Sequence, residues 1–251
     1  MRKVTATIQA RVGSSRLPGK VMKKICGVTI LQLLIERLRM SILIDEIIVA
    51  TTSNSDDDII EQLSKKLKVQ CFRGSEEDVL GRIVGVIKKY NIDVHLECQG
   101  DNVMLDPHLI DSMIGYYLKQ YDEYDYVTNS LKTTYPPGQD ISVYSGLSLI
   151  QAESDWKSNL PREHVGIHIY KRREKFRVKN IEAPPCHRFP NYHLEVDTEA
   201  DFDVVRQVFE HFLPNNPGFS LGQIIDYLRE SHAFEINQNV HRRWKEFRDD
   251  S

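Results

Sequence analysis

Apolar residues follow two alternating rhythms along the first part of the chain. Short runs rich in Val and Ile, at Val4 to Ala10, Glu46 to Thr51, Val69 to Phe72 and Asp93 to Cys98, read as buried strands. Between them the spacing becomes helical, as in Ile30, Leu31, Leu34, Ile35 and Leu38 within Ile30 to Met40. Ser55 with Asp58 reads as a capping box for a helix to Leu67. Ser75 and Asp78 repeat that signal ahead of a helix to Tyr90, and Pro107 suits the first turn of another. Alternation of strand and helix predicts an α/β fold, a mainly parallel sheet flanked by helices, with ligands beyond the carboxyl ends of the strands.

The second half is less regular. Strands are expected at Tyr126 to Ser130, Asp140 to Tyr144, Val165 to Tyr170, Phe176 to Ile181 and Tyr192 to Val196. Helices are expected at Ser145 to Trp156, at Glu199 to Phe212, and after Ser220 through Leu228. With no linker-like stretch or repeat, this half reads as a mixed continuation of one sheet, so residues 1–251 form a single domain. Arg242 to Ser251 is charged and expected to fray.

Charge narrows the partners. The formal net charge is -3, from 33 basic and 36 acidic residues, which gives no reason to expect nucleic acid or an anionic membrane. Any grip on an anion must be local. Cys26, Cys71, Cys98 and Cys186 form no metal-binding or disulfide pattern. With no signal-peptide or membrane-span pattern, a cytoplasmic location is expected.

Such a local grip follows the first strand. Arg11-Val-Gly13-Ser14-Ser15-Arg16-Leu-Pro18-Gly19-Lys20 gathers three cations, two hydroxyls and two glycines. Glycines let backbone N–H groups turn toward an anion, hydroxyls add donors, and Arg and Lys neutralise phosphate oxygens. The segment is not a Walker A loop: five residues separate Gly13 from Gly19, and Val21 stands where a magnesium-binding Ser or Thr belongs. The Gly-x-Gly-x-x-Gly fingerprint is also missing. A solvated basic loop is the plain alternative, and the position directly after a strand argues against it.

Two carboxylates occupy other strand ends. Asp101, in Gln99-Gly100-Asp101-Asn102, suits Mg²⁺ shared between protein oxygens and phosphates. Asp106, just before Pro107, reads better as a helix cap. Asp197, in Val196-Asp197-Thr198-Glu199, is either a cap or a second metal ligand; as a ligand it would complete a magnesium clamp on a triphosphate.

Taken together, these segments resemble the cytidylyltransferases that activate acidic sugars, the CMP-Kdo and CMP-acylneuraminate synthetases, and most of all the spore-coat polysaccharide protein F branch. The matching stretches are Gln9-Ala-Arg11 through Arg16-Leu-Pro-Gly-Lys20, Ile48-Val-Ala-Thr51-Thr52, Phe72-Arg-Gly-Ser-Glu-Glu-Asp-Val-Leu-Gly-Arg82, Gln99-Gly-Asp101, Arg162-Glu-His-Val165 and Val196-Asp-Thr198. The resemblance implies a Rossmann-like nucleotide-diphospho-sugar transferase (GT-A-like) fold. It implies that Arg11, Arg16 and Lys20 meet the triphosphate of CTP, with Gly13, Ser14 and Ser15 in the same loop, and that Asp101 and Asp197 hold Mg²⁺. Ala10, Ala50 and Thr51 would lie near the base and Gln99 near the nucleotide. A homodimer is implied, with an arm within about residues 130–190.

The chain departs from the Kdo enzymes after Asp101, where Asn102-Val103 replaces an acidic residue and proline. Its sugar-binding segments match poorly, so the acceptor is expected only to be an anionic sugar or polyol derivative. Arg73, Arg82, Arg162, His164 and Arg188 are the candidates to bind it, with His168 a second histidine in the same stretch. The expected reaction is attack of an acceptor oxygen on the α-phosphorus of CTP with loss of pyrophosphate. Rival readings are a UTP- or GTP-using nucleotidyltransferase, a glycosyltransferase, which would usually show Asp-x-Asp where Asp101-Asn102 stands, and a catalytically silent nucleotide-binding protein.

Overall fold

A computed structural model describes residues 2–155 and 160–242 of the chain. In chain order the strands and helices are β1 (Val4–Gln9), β2 (Lys24–Ile25), β3 (Val28–Thr29), α1 (Ile30–Leu38), β4 (Glu46–Thr52), α2 (Asp58–Lys66), β5 (Gln70–Gly74), α3 (Val79–Tyr90), β6 (Val94–Gln99), α4 (Pro107–Lys119), β7 (Tyr126–Thr128), β8 (Ser142–Ser145), α5 (Gly146–Ser154), α6 (Ile167–Tyr170), β9 (Val178–Asn180), α7 (Glu199–Phe212) and α8 (Leu221–Ser231). Among the described residues one sheet of seven strands runs in the order β5-β4-β1-β6-β8-β7-β9. Only β8 runs antiparallel to its neighbours. The expected mixed, mainly parallel sheet is therefore present, and β2 and β3 form a separate small hairpin.

The alternating patterns explain the two faces. Val4, Ala6 and Ile8 of β1 and Leu96 and Cys98 of β6 join the apolar layer under α1, α4, α7 and α8. The opposite face packs on α3, α5 and α6 through Ile48, Ala50, Leu80, Ile83, Leu149 and Ile169. On that face β1 and β6 present polar residues instead: Thr5, Thr7 and Gln9 stand opposite His95, Glu97 and Gln99.

Several elements differ from the sequence pattern. Val165 to Tyr170, expected as a strand, holds the short helix α6. This apolar run packs on α5 instead of entering the sheet, a tertiary contact that overrides its strand-like composition. Tyr192 to Val196 joins no ladder. Its Leu194 and Val196 amides donate singly to Pro137 O (2.7 Å) and Asp101 O (3.1 Å). The expected Ser55 cap gives way to a 3₁₀ turn over Ser55–Asp57, and α2 begins at Asp58. Trp156, expected to end a helix, and residues 243–251, expected to fray, lie outside the described residues. No described helix is long and apolar enough to cross a membrane. The four cysteines are free.

Arg37 ties the layers together. Its guanidinium is buried in α1, donates to Leu105 O (2.9 Å), Pro217 O (3.3 Å) and Phe219 O (2.9 Å), and stacks 4.2 Å from the centre of the Phe219 ring. Burial pushes its pKa down to about 10. Replacing it with Met would leave three buried carbonyls without their donor. We expect Arg37→Met to cost about 3 kcal/mol or more in urea unfolding, where a loss below about 1 kcal/mol would show the carbonyls to be otherwise satisfied.

Candidate active site

A cavity of about 420 Å³ opens where β1 and β6 end. The segment after β1 forms one wall, and Asp57 fixes it there. The Asp57 carboxylate, 2% exposed, accepts from Val12 N (2.7 Å) and from the amide and hydroxyl of Thr52 on β4. Gly19 then turns the chain at φ 69°, a conformation other residues adopt at a cost, and Lys20 points back into the cavity.

Gly100 lets the neighbouring loop come close. A Cβ there would stand 2.7 Å from Gln9 O, so β6 delivers Asp101 beside the β1 loop only because this position has no side chain. The Val196 amide then grips Asp101 O and brings Asp197 alongside. Asp197 is not the cap of α7: Thr198 is, in a reciprocal capping box with Asp201. Asp201 Oδ2 also accepts from Asp197 N (3.1 Å), and its Oδ1 receives Asn237 Nδ2 (2.8 Å) and Arg242 Nη2 (2.7 Å). Burial alone would raise the Asp201 pKa, and Arg242 with the other donors lowers it. The carboxylate of Asp197 is thus left for the cavity. Asp106 does cap α4, as expected, through His108 N (2.8 Å).

The centre of the site is one shared ammonium. Lys20 Nζ lies 2.7 Å from Asp101 Oδ2 and 2.9 Å from Asp197 Oδ1, while Arg16 Nη2 lies 2.8 Å from Asp197 Oδ2. Burial alone would lower the Lys20 pKa, but the two carboxylates outweigh it and hold the amine charged. Two carboxylates that meet on one ammonium can converge on one compact hard cation, so this oxygen pair fits Mg²⁺. Arg11 reaches Glu76 (3.4 Å) and Glu163 (3.9 Å) at the rim, more than a third exposed.

Of the residues singled out in the sequence for the nucleotide, Ala10, Arg11, Ser14, Ser15, Arg16, Lys20 and Gln99 line the cavity with Asp101 and Asp197. Gly13 sits in the same loop without lining it. Ala50 and Thr51 are buried within β4 and do not line the cavity, and Ala50 O accepts from Ala10 N (3.3 Å).

The acceptor candidates divide. Arg82 and His164 line the cavity. Arg73 does not: it is held by Asp58, Glu61 and Thr52 O at the β5 edge, because the short turn before α2 places both acids over it. Arg188 pairs with Glu182 (2.9 Å) away from the cavity. Arg162 is also outside it, clamping Asp78 at the α3 start to Glu153 on α5. His168 is buried against Pro161 O because its segment is helical, which takes it out of reach of an acceptor.

Glu97 lines the cavity floor and carried no signal in the sequence, since an acid inside an apolar strand run is visible but its setting is not. It is 9% exposed and accepts from Gln9 Nε2 (2.9 Å), Gln99 Nε2 (3.3 Å) and Tyr144 OH (2.8 Å). Burial pushes its pKa up to about 7, against the downward pull of the Tyr144 and Gln9 hydrogen bonds. Between the ordinary value of 4.5 and about 7, only the unfolded chain has released this proton. The folded state binds more protons there, so this group's contribution to stability falls as pH rises through that window. Glu97→Gln should remove this fall, about 3 kcal/mol between about pH 5 and about pH 8. Urea unfolding at the two pH values checks it, and an unchanged pH slope in the variant would show Glu97 ionised throughout.

Comparison with known proteins agrees with this geometry. A family profile described as cytidylyltransferase matches residues 5–238. The chain is 33% identical to the spore coat polysaccharide biosynthesis protein SpsF of Bacillus subtilis, over 92% of this chain and 96% of that one. It is 37% identical to the protein MJ1063 of Methanocaldococcus jannaschii, over 96% and 97% of the two chains. Among solved structures, a cytidylyltransferase from Leptospira borgpetersenii superposes with a TM-score of 0.89 at 29% identity, over 96% of this chain and all of that one.

Proposed function

The chain belongs to the cytidylyltransferase family, and we propose that it carries out a magnesium-assisted transfer of CMP from CTP to an acidic sugar or related anionic acceptor, releasing pyrophosphate, in the assembly of a surface polysaccharide. The observation that carries this reading is the shared ammonium: Lys20 lies between Asp101 and Asp197, with Arg16 on the second carboxylate. The charges balance in pairs, so a triphosphate entering the cavity can draw Lys20 and Arg16 onto its oxygens and leave two carboxylates free. Asp101 and Asp197 would then hold Mg²⁺, which supplies charge neutralisation on the phosphates.

The chain's own residues do the remaining work. Arg11, Arg16 and Lys20 offset the charge that develops on the leaving pyrophosphate. The acceptor oxygen forms a bond to the α-phosphorus as the bond from that phosphorus to the bridging oxygen breaks. Ser14 and Ser15, on the same wall, add neutral donors for phosphate. Arg82, 4% exposed and lowered in pKa by burial and by the nearby Arg11, is the best-placed cation for an acceptor anion, with His164 beside the same cavity. The polysaccharide role rests on the likeness to SpsF of Bacillus subtilis, a spore coat polysaccharide biosynthesis protein.

Screening CTP against 2-keto acidic sugars, phosphosugars and phosphorylated polyols, with pyrophosphate release as the readout, identifies the acceptor. With that acceptor, Asp101→Ala and Asp197→Asn should each lower release by about a hundredfold or more. Asp197→Asn should do so with little change in Tm, because Thr198 and Asp201 make the cap. Unchanged release from Asp101→Ala would remove the metal assignment, and a loss of Tm alone from Asp197→Asn would make that residue structural.

A further inference from the structure

The cavity has two unlike walls. Its cations, Arg11, Arg16, Lys20 and Arg82, come from the segment after β1 and from α3. The wall built by β6, β7 and β8 carries Glu97, Tyr126 and Ser142, with no Lys or Arg among its described residues. An acceptor that filled the cavity with anionic groups alone would set them against this wall.

Glu97 is the carboxylate there whose setting is unusual. Four other acids of the site lie beside cations: Asp101 and Asp197 share Lys20, Glu163 lies 3.9 Å from Arg11, and Glu195 lies 3.2 Å from Arg242; Asp140, at the rim of the same wall, accepts from the Gly138 amide (3.3 Å). Glu97 has three partners, Gln9, Gln99 and Tyr144, and all are neutral donors. Tyr144 stays protonated, since burial and then Glu97 itself raise its pKa well above the ordinary value. A carboxylate offers about four acceptor positions, so one remains beyond these three. Burying such a group beside no cation is unfavourable unless it takes up a proton or meets a positive ligand. A glutamine could meet the same three groups without that cost, its carbonyl accepting from Gln9 and Gln99 and its amide donating to the Tyr144 hydroxyl, so the hydrogen bonds alone do not account for an acid here.

We propose that Glu97 is a specificity-determining residue whose open acceptor position, on the β6–β8 wall, receives a protonated primary amine of the acceptor. The acceptor is then an amino sugar derivative, with its anionic group toward Arg82 and its ammonium on Glu97. This rests on the cytidylyl-transfer reading for the word acceptor, while the ammonium subsite itself rests on the cavity alone. In the free protein Glu97 holds a proton for part of the time, and an arriving ammonium takes that proton's place.

The subsite can be tested without knowing the natural acceptor. The protein is labelled with ¹³C at glutamate carboxyls, and the Glu97 resonance is assigned by its loss in Glu97→Gln. Its titration is followed with methylammonium chloride and, at equal ionic strength, with tetramethylammonium chloride, which has no N–H to donate. Methylammonium should lower the midpoint saturably, by about threefold or more in proton affinity, and tetramethylammonium should leave it in place. No shift, or the same shift with both salts, overturns the proposal. An equal shift with CTP alone would also overturn it, since the cytosine amino group would then be the group read by Glu97.

A second arm separates this from the broader function. Pyrophosphate release is measured with CTP and matched acidic sugars that differ only in bearing an amine or a hydroxyl. The wild type should favour the amine form by about tenfold in kcat/KM, and Glu97→Gln should lose that preference mainly through KM. A preference that survives in Glu97→Gln overturns the specificity role. Release from no acceptor, with the methylammonium shift intact, would defeat cytidylyl transfer and leave the ammonium subsite standing.

Discussion

One hydrogen bond organises the mouth of the cavity: the Val196 amide donating to the Asp101 carbonyl at 3.1 Å. It joins a loop from the first half of the chain to a segment that follows the whole sheet. Because it is made between backbones, it sets the spacing of the two aspartates regardless of their side chains. Without it Lys20 would have one carboxylate to answer, and the pairing of charges at the centre would fail. Gly100 makes the approach possible on one side, and Asp201 holds Asp197 in place on the other.

The electrostatics follow from that spacing. Six carboxylates and four guanidinium or ammonium groups face a cavity of about 420 Å³, and most of them meet in opposite-charge pairs. Such a site is neutral enough to stay folded while empty, and it can rearrange its pairs when a polyanion enters. The attraction such a site would offer a phosphate is local, since its cations come from the segment after β1 and from α3, and it does not depend on the net charge of -3.

The first half of the fold was legible in the sequence because its strands are continuous Val and Ile runs and its helices are cleanly periodic. Asp101 was legible from the end of the β6 run, Arg16 and Lys20 from the cluster of cations, hydroxyls and glycines after β1, and Asp197 from its place just before the α7 pattern, although the segment ahead of it is no strand. The second half resisted for a physical reason. Val165 to Tyr170 has the composition of a strand, yet it forms a short helix packed on α5, a tertiary contact that no local pattern carries. Arg73, Arg162 and Arg188 read as anion binders by residue type, and each is spent on an ion pair that depends on a turn or a neighbouring helix. Asp57 and Glu97 were invisible for the opposite reason: their importance lies in what surrounds them and not in any local pattern.

Arg242 and Asn237 lie near the end of the described chain, yet both donate to Asp201, which carries the backbone of Asp197. This segment is thus structurally part of the cavity wall. A proteolytic cut behind α8 would leave every cavity side chain in the sequence intact and still withdraw two donors from a buried carboxylate beneath one of them. Fusion partners or tags placed at that end belong, in this molecule, among the variables that act on the site.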